Sequence, residues 1–143
     1  MLTCSKTYRG IPLAHRQHLH PGRCAQIHGH SWTVRVTFAC RELDAHGFVV
    51  DFGALHFIAD WIDTHLDHAI MFAREDATAN RLIDAAPEAF KVFWVDAASC
   101  ECLAQTLRDA WSPLLQQHAG DRVWIHTLEV WEDDNNSVRL TTD

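Results

Sequence analysis

Ser31-Trp32-Thr33-Val34-Arg35-Val36-Thr37-Phe38-Ala39-Cys40 alternates apolar and polar side chains for ten residues: the even positions are apolar, and the odd ones mostly polar or small. A period of two over that length marks a β-strand with one buried face. Upstream, residues 2–11 form a weaker strand candidate that leads through Pro12 to His15. Downstream, a turn at Asp44–Gly47 and a short extended piece, Phe48–Val50, precede Asp51. Asp51 can cap a helix through about His65, with Leu55, Ile58, Trp61, Ile62 and Leu66 at helical spacing. Residues 67–98 show no clean period and hold one short apolar run, Val92–Val95. Ser99 can cap a second helix carrying Leu103, Leu107, Ala110, Trp111, Leu114 and Leu115, with Pro113 expected to kink or tighten its end. Residues 121–132 read as a strand, and a turn at Asp133–Asn136 leads to a return strand, Ser137–Leu140. The order strand, strand, helix, helix, strand, strand predicts an α+β fold with an antiparallel sheet, as one domain over residues 1–143.

Hydrophobic residues make up 48% of the chain and charged residues 22%, which excludes a disordered tail, a collagen-like chain or a disulfide miniprotein. The formal charge is −7, from 12 Lys and Arg against 19 Asp and Glu. So acidic a chain is a poor match for nucleic acid or anionic lipid, and an anionic ligand must be held by a local feature. No apolar run approaches the ~20 residues of a membrane span, and the start of the sequence lacks a basic region followed by an apolar stretch. A cytoplasmic location is therefore expected, and Cys4, Cys24, Cys40, Cys100 and Cys102 read as free thiols.

Histidine is the informative count. Of 11 in the chain, His15, His18, His20, His28 and His30 fall within one segment that holds Arg16 and Arg23 and no acidic residue. His28-Gly29-His30 opens the best strand, so both imidazoles share a face with stems roughly 6–7 Å apart, and Gly29 leaves the opposite face bare. His15 can add a third nitrogen from the neighbouring strand. Three neutral imidazoles with an open fourth position are the donor set of a catalytic Zn2+ site.

Cys24 has two readings: a fourth ligand closing that site, or a thiolate activated by Arg23 and the cation to act as base or nucleophile. Gly22 suggests an exposed loop, which favours the reactive role. Asp67-His68 reads either as a general acid/base pair, with the carboxylate holding the imidazole, or as solvated surface. Glu132 shares strand parity with Trp124, Leu128 and Val130, so it either ends an inward row and meets a ligand's donors or frays into solvent beside Asp133. His126 falls on the same row and reads as a core histidine with a satisfied ring.

These residues come in a telling order: Ala14-His15, Cys24-Ala25-Gln26-Ile27-His28-Gly29-His30, Gly47-Phe48-Val49-Val50-Asp51-Phe52, Leu66-Asp67-His68, Glu101-Cys102-Leu103-Ala104 and Glu132. The set resembles the 6-pyruvoyl-tetrahydropterin synthase superfamily from about Tyr8 to Leu140, most closely its bacterial 6-carboxytetrahydropterin synthases of the queuosine (7-deazaguanine) pathway. The resemblance implies the T-fold, a four-stranded antiparallel sheet with two helices on one face. It implies homo-trimers joined through edge strands into a barrel, often stacked as hexamers, with active sites between subunits. It carries Zn2+ onto His15, His28 and His30, the base onto Cys24, its partners onto Asp67 and His68, and the pterin anchor onto Glu132. The implied reaction converts 7,8-dihydroneopterin triphosphate to 6-carboxy-5,6,7,8-tetrahydropterin, acetaldehyde and triphosphate; Arg16, Arg23 and the nearby histidines are the candidates for the triphosphate's counter-charge.

The chain departs from the family pattern in three places. Ala98-Ser99-Cys100-Glu101-Cys102 stands where the family has Pro-Thr-Ser/Ala-Glu-Asn, Ile11–Ala14 replaces an aromatic followed by small residues, and the connection over 71–98 is long. Three alternatives remain: a 6-pyruvoyl-tetrahydropterin synthase, a non-catalytic zinc- or pterin-binding T-fold protein, and a Cys-His-Asp thiol hydrolase.

Overall fold

The computed structural model describes all 143 residues. In chain order its elements are β1 (Leu2–His15), β2 (His28–Cys40), α1 (His56–His65), β3 (Ala69–Ala73), α2 (Ala77–Ala85), β4 (Val92–Val95), α3 (Cys100–Ala119), β5 (Val123–Trp131) and β6 (Ser137–Thr141). The alternating stretch forms most of β2, and Trp32, Val34, Val36, Phe38 and Cys40 are all buried. α1 and α3 cover that face: Ile58 and Ile62 from one helix and Leu103, Leu107, Trp111 and Leu115 from the other share its core. Each such side chain contributes about 1.5–3 kcal/mol on burial, so this layer fixes the plane of the sheet. No helix is long and apolar enough to cross a membrane.

The fold is α+β, but the expected four-stranded antiparallel sheet with two helices is incomplete. The sheet has six strands in the order β4-β3-β1-β2-β5-β6. The β1–β2, β2–β5 and β5–β6 pairs are antiparallel, whereas β1–β3 and β3–β4 are parallel. The extra strands and α2 come from residues 67–98. Every residue of β3 is buried, so it reads as a continuous apolar run, the mark of a parallel strand covered on both faces. Ala69 and Met71 join the main core, while Ile70 and Phe72 pack on Ala79 of α2. α2 therefore covers the opposite face of the sheet. Asp76 starts it by accepting from the Thr78 and Ala79 N–H groups at 3.1 and 3.2 Å.

The helix ends follow local chemistry with small shifts. Asp51 caps a 3-10 turn, Phe52–Leu55, which runs on into α1. Ser99 caps α3 through the Cys102 N–H. The helix continues past Pro113 and stops at Gly120, which takes a φ of +66°.

Two irregularities in strand register set which residues point inward. Gly10, at φ +67°, lies in a register shift between Tyr8 and Ile11. The inward set of β1 thereby passes from Cys4 and Tyr8 to Ile11, Leu13 and His15. A second shift opposite Thr37 and Phe38 does the same to β5. Val123 and Ile125 are buried before it, and Leu128 and Val130 after it. Trp124 and His126 are therefore only half-buried, and the expectation of His126 as a core histidine is wrong because the bulge breaks the parity it relied on.

Candidate functional site

Three histidines meet where β1 and β2 are joined by residues 16–27. His15 ends β1 and pairs directly with His28, and Leu13 pairs with His30. Register partners share a face, so the three rings converge with centroids 4.6, 5.3 and 5.0 Å apart. Trp32 floors the cluster, its ring 5.2 Å from that of His15 and its indole N–H bound to the Leu13 carbonyl at 2.8 Å.

Backbone carbonyls fix two of the rings. His15 Nδ1 is 2.8 Å from the Ala98 oxygen and His28 Nδ1 is 2.7 Å from the Gln26 oxygen. A carbonyl only accepts, so each Nδ1 carries a proton, and in a neutral ring that leaves the lone pair on Nε2. Burial lowers the His15 pKa to about 4, with His28 and His30 adding to the effect and the Ala98 bond opposing it. The His15 ring is therefore neutral at neutral pH.

The Nε2 atoms of His15 and His30 are buried without a hydrogen-bond partner. Such an orphan costs about 1–3 kcal/mol. One ligating nitrogen from each of the three rings lies within 4.8 Å of the others. Three convergent imidazoles fit a metal ion, whose bonds to imidazole run about 2.0–2.1 Å for zinc, and a shared cation would satisfy both orphans.

Cys24 stands outside this cluster. It lies half-buried in a 3-10 turn, Arg23–Ala25, and its carbonyl accepts from the Gln17 N–H at 2.8 Å. Cys24 and His28 line one small hollow together with Arg23, Gln26 and Ile27. Gln17, on the other side of that hydrogen bond, lines a larger hollow of about 480 Å3 with Ser99, Cys100, Glu101, Glu132 and Asn136. Glu132 sits just beyond β5, half-buried, and its N–H donates to the Asn136 carbonyl at 3.2 Å. The Cys100 thiol in the same wall is a poor nucleophile. It donates to the Val130 carbonyl at 3.1 Å, and burial, with Glu132 and Glu101 nearby, raises its pKa to about 12.

The remaining predicted residues are placed elsewhere. His68 Nδ1 pairs with the Asp67 carboxylate, but 84% of the His68 side chain is exposed. The His68 N–H donates to the Pro12 carbonyl, three residues before His15 and therefore about 10 Å back along the strand. One chain alone does not bring this pair to the three histidines. Arg16, expected to face an anionic ligand, is instead committed to the buried Asp76, Nε to Oδ2 at 2.8 Å. Arg23 remains exposed beside Cys24.

The sequence reading missed Gln17 and the carbonyls of Ala98 and Gln26. The two carbonyls leave no side-chain signal, and Gln17 matters through a backbone bond set by the loop's path.

The 6-pyruvoyl tetrahydropterin synthase family model matches residues 4–143. A Rickettsia felis protein named 6-carboxy-5,6,7,8-tetrahydropterin synthase is 24% identical over 98% of this chain and all of its own length. A Bacillus subtilis protein of the same name is 38% identical over 38% of this chain and 36% of its own. Among solved structures, an uncharacterized protein from Wolinella succinogenes matches with a TM-score of 0.86 at 19% identity, covering 99% of this chain and 98% of its own. A Plasmodium vivax 6-pyruvoyltetrahydropterin synthase matches with a TM-score of 0.69 at 14% identity, covering 100% and 99%. Those likenesses establish the shared α+β fold. With the family model running from Cys4 to the final residue, the chain belongs to the 6-pyruvoyl tetrahydropterin synthase family.

Proposed function

We propose that the chain is a cytoplasmic, zinc-dependent 6-carboxytetrahydropterin synthase, acting as a single domain on 7,8-dihydroneopterin triphosphate. One observation carries the reading: the three-histidine cluster is tied through the Ala98 carbonyl to the segment that lines the Glu132 hollow. The names of the Rickettsia and Bacillus relatives support the carboxy branch.

His15, His28 and His30 would hold Zn2+, which when bound supplies Lewis-acid polarisation of the substrate's side-chain hydroxyls. Cys24 Sγ takes a proton from the substrate side chain. His68, its Nδ1 held by Asp67, returns one from Nε2. Because that pair is exposed and set apart from its own three histidines, it serves the Cys24 of a neighbouring subunit in a homo-trimer, two of which stack as a hexamer. Glu132 accepts hydrogen bonds from the pterin's amino and ring N–H groups, and Arg23 offsets the triphosphate charge.

The decisive experiment is product identification after incubating metal-loaded protein with 7,8-dihydroneopterin triphosphate. Acetaldehyde is expected together with 6-carboxytetrahydropterin, and neither should form after the metal is removed. Three residues separate Cys24 from His28; that spacing resembles the carboxy branch. Loop length sets which proton the thiolate reaches, and a ~1 Å displacement costs on the order of a hundredfold in rate. The family model's own name favours a second reading, a 6-pyruvoyl synthase, which is correct if 6-pyruvoyltetrahydropterin accumulates without acetaldehyde.

Glu132→Gln tests the anchor. Hydrogen bonds to a charged acceptor are worth about 1.5–3 kcal/mol, so pterin affinity should fall roughly tenfold to a hundredfold while metal content stays unchanged. Unaltered affinity would return Glu132 to solvent.

A further inference from the structure

The turn that carries Asp67 and His68 is held in an unfavourable conformation. His68 is the one non-glycine residue with positive φ, at +60°, where a side chain crowds the backbone. The surrounding chain braces it. The Leu66 and Asp67 N–H groups both donate to the Ile62 carbonyl, at 2.8 and 3.0 Å, and the Ala69 N–H donates to Leu66 at 3.0 Å.

The peptide plane between Asp67 and His68 sets the orientation of both side chains, and it is gripped at both ends. Its N–H donates to the Pro12 carbonyl at 2.9 Å. Its carbonyl accepts from Lys91 Nζ at 2.6 Å, and the same ammonium reaches the Asp63 carbonyl at 2.9 Å. The ammonium thus makes charge-assisted bonds to the Asp63 carbonyl in the last turn of α1, where the helix dipole favours a cation, and to the Asp67 carbonyl in the turn that follows. Lys91 is itself registered by the sheet: its carbonyl accepts from the Ile70 N–H at 2.8 Å, just before β4 begins.

We propose that Lys91 is a positioning residue for the Asp67–His68 pair. Its ammonium locks the 67–68 peptide plane so that the His68 Nδ1–H meets the Asp67 carboxylate. The parallel extension β3–α2–β4 thereby gains a task, because it delivers Lys91 to the turn. Only the catalytic meaning of this role rests on the function proposed above.

The test compares Lys91→Met, which keeps the stem and loses the donors, with Lys91→Arg, which keeps donors, in the full zinc-loaded chain. The first readout is the ring 15N spectrum of His68, identified by the signals missing from His68→Gln. It is taken at about pH 8.5, above the ordinary histidine pKa of about 6.5. Lys91→Met should move His68 from the Nδ1–H toward the Nε2–H tautomer, and Lys91→Arg should not. Lys91→Met should also lower kcat about tenfold or more, with KM within about twofold and zinc content unchanged. An unchanged His68 tautomer in folded Lys91→Met overturns the proposal, as does Lys91→Arg behaving like Lys91→Met. Should Lys91→Met not fold, Lys91→Gln, which loses charge and reach, carries the same comparison. Full turnover in His68→Gln would remove the catalytic role of the pair, and the tautomer would still decide the role of Lys91.

Discussion

A His28→Ala, His30→Ala double variant should purify with no stoichiometric metal, whereas the parent chain should hold about one zinc per subunit. The two rings come from one strand and face one partner, His15, so their removal leaves a single imidazole, too few donors to retain the ion. Folding should survive, because both rings are only half-buried and the fully buried row of β2 begins at Trp32. Turnover should fall to the background rate. Elemental analysis of the purified variant, with circular dichroism to establish its fold, measures both effects. Full zinc occupancy in the double variant would overturn the ligand assignment. His15→Ala should lose metal too, but it also cuts the link to Ala98, so its effect on the Glu132 hollow is harder to separate from metal loss.

The alternation of β2 and the His28-Gly29-His30 spacing were legible because one face of that strand is buried and nothing interrupts its parity. The third histidine was legible as a candidate, but the route to it was not. β1 was expected to end near residue 11, and the bulge at Gly10 lets its last five residues continue in register with β2. A bulge also explains the error on β5. It lies between Ile125 and Thr127, so parity counted from Trp124 fails, whereas parity counted from Leu128 and Val130 still reaches Glu132. β3 was illegible because burial on both faces erases alternation. Arg16 was misassigned since its partner, Asp76, lies sixty residues away in sequence. Asp67-His68 could be read as a pair, but not the left-handed turn that presents it or the lysine that grips it.

Cys24→Ala should keep its zinc and lose activity by about a hundredfold to ten-thousandfold, the usual range for a general base. Metal retention follows from geometry, since the cluster comprises three imidazoles and the thiol is not among them. The loop should survive the change, because Cys24 is anchored through its backbone carbonyl to Gln17. Neither Cys40 nor Cys100 can take over the task. Cys40 is buried at the far end of β2, and Cys100 is buried with its S–H bound to Val130 and its pKa raised to about 12. Alkylation should accordingly be faster at Cys24 than at either, as peptide mapping after a brief iodoacetamide treatment would read. Loss of zinc together with the thiol would point instead to a closed four-ligand site. Such a site has no open position for substrate, so that single result would overturn both the base assignment and the catalytic role of the metal.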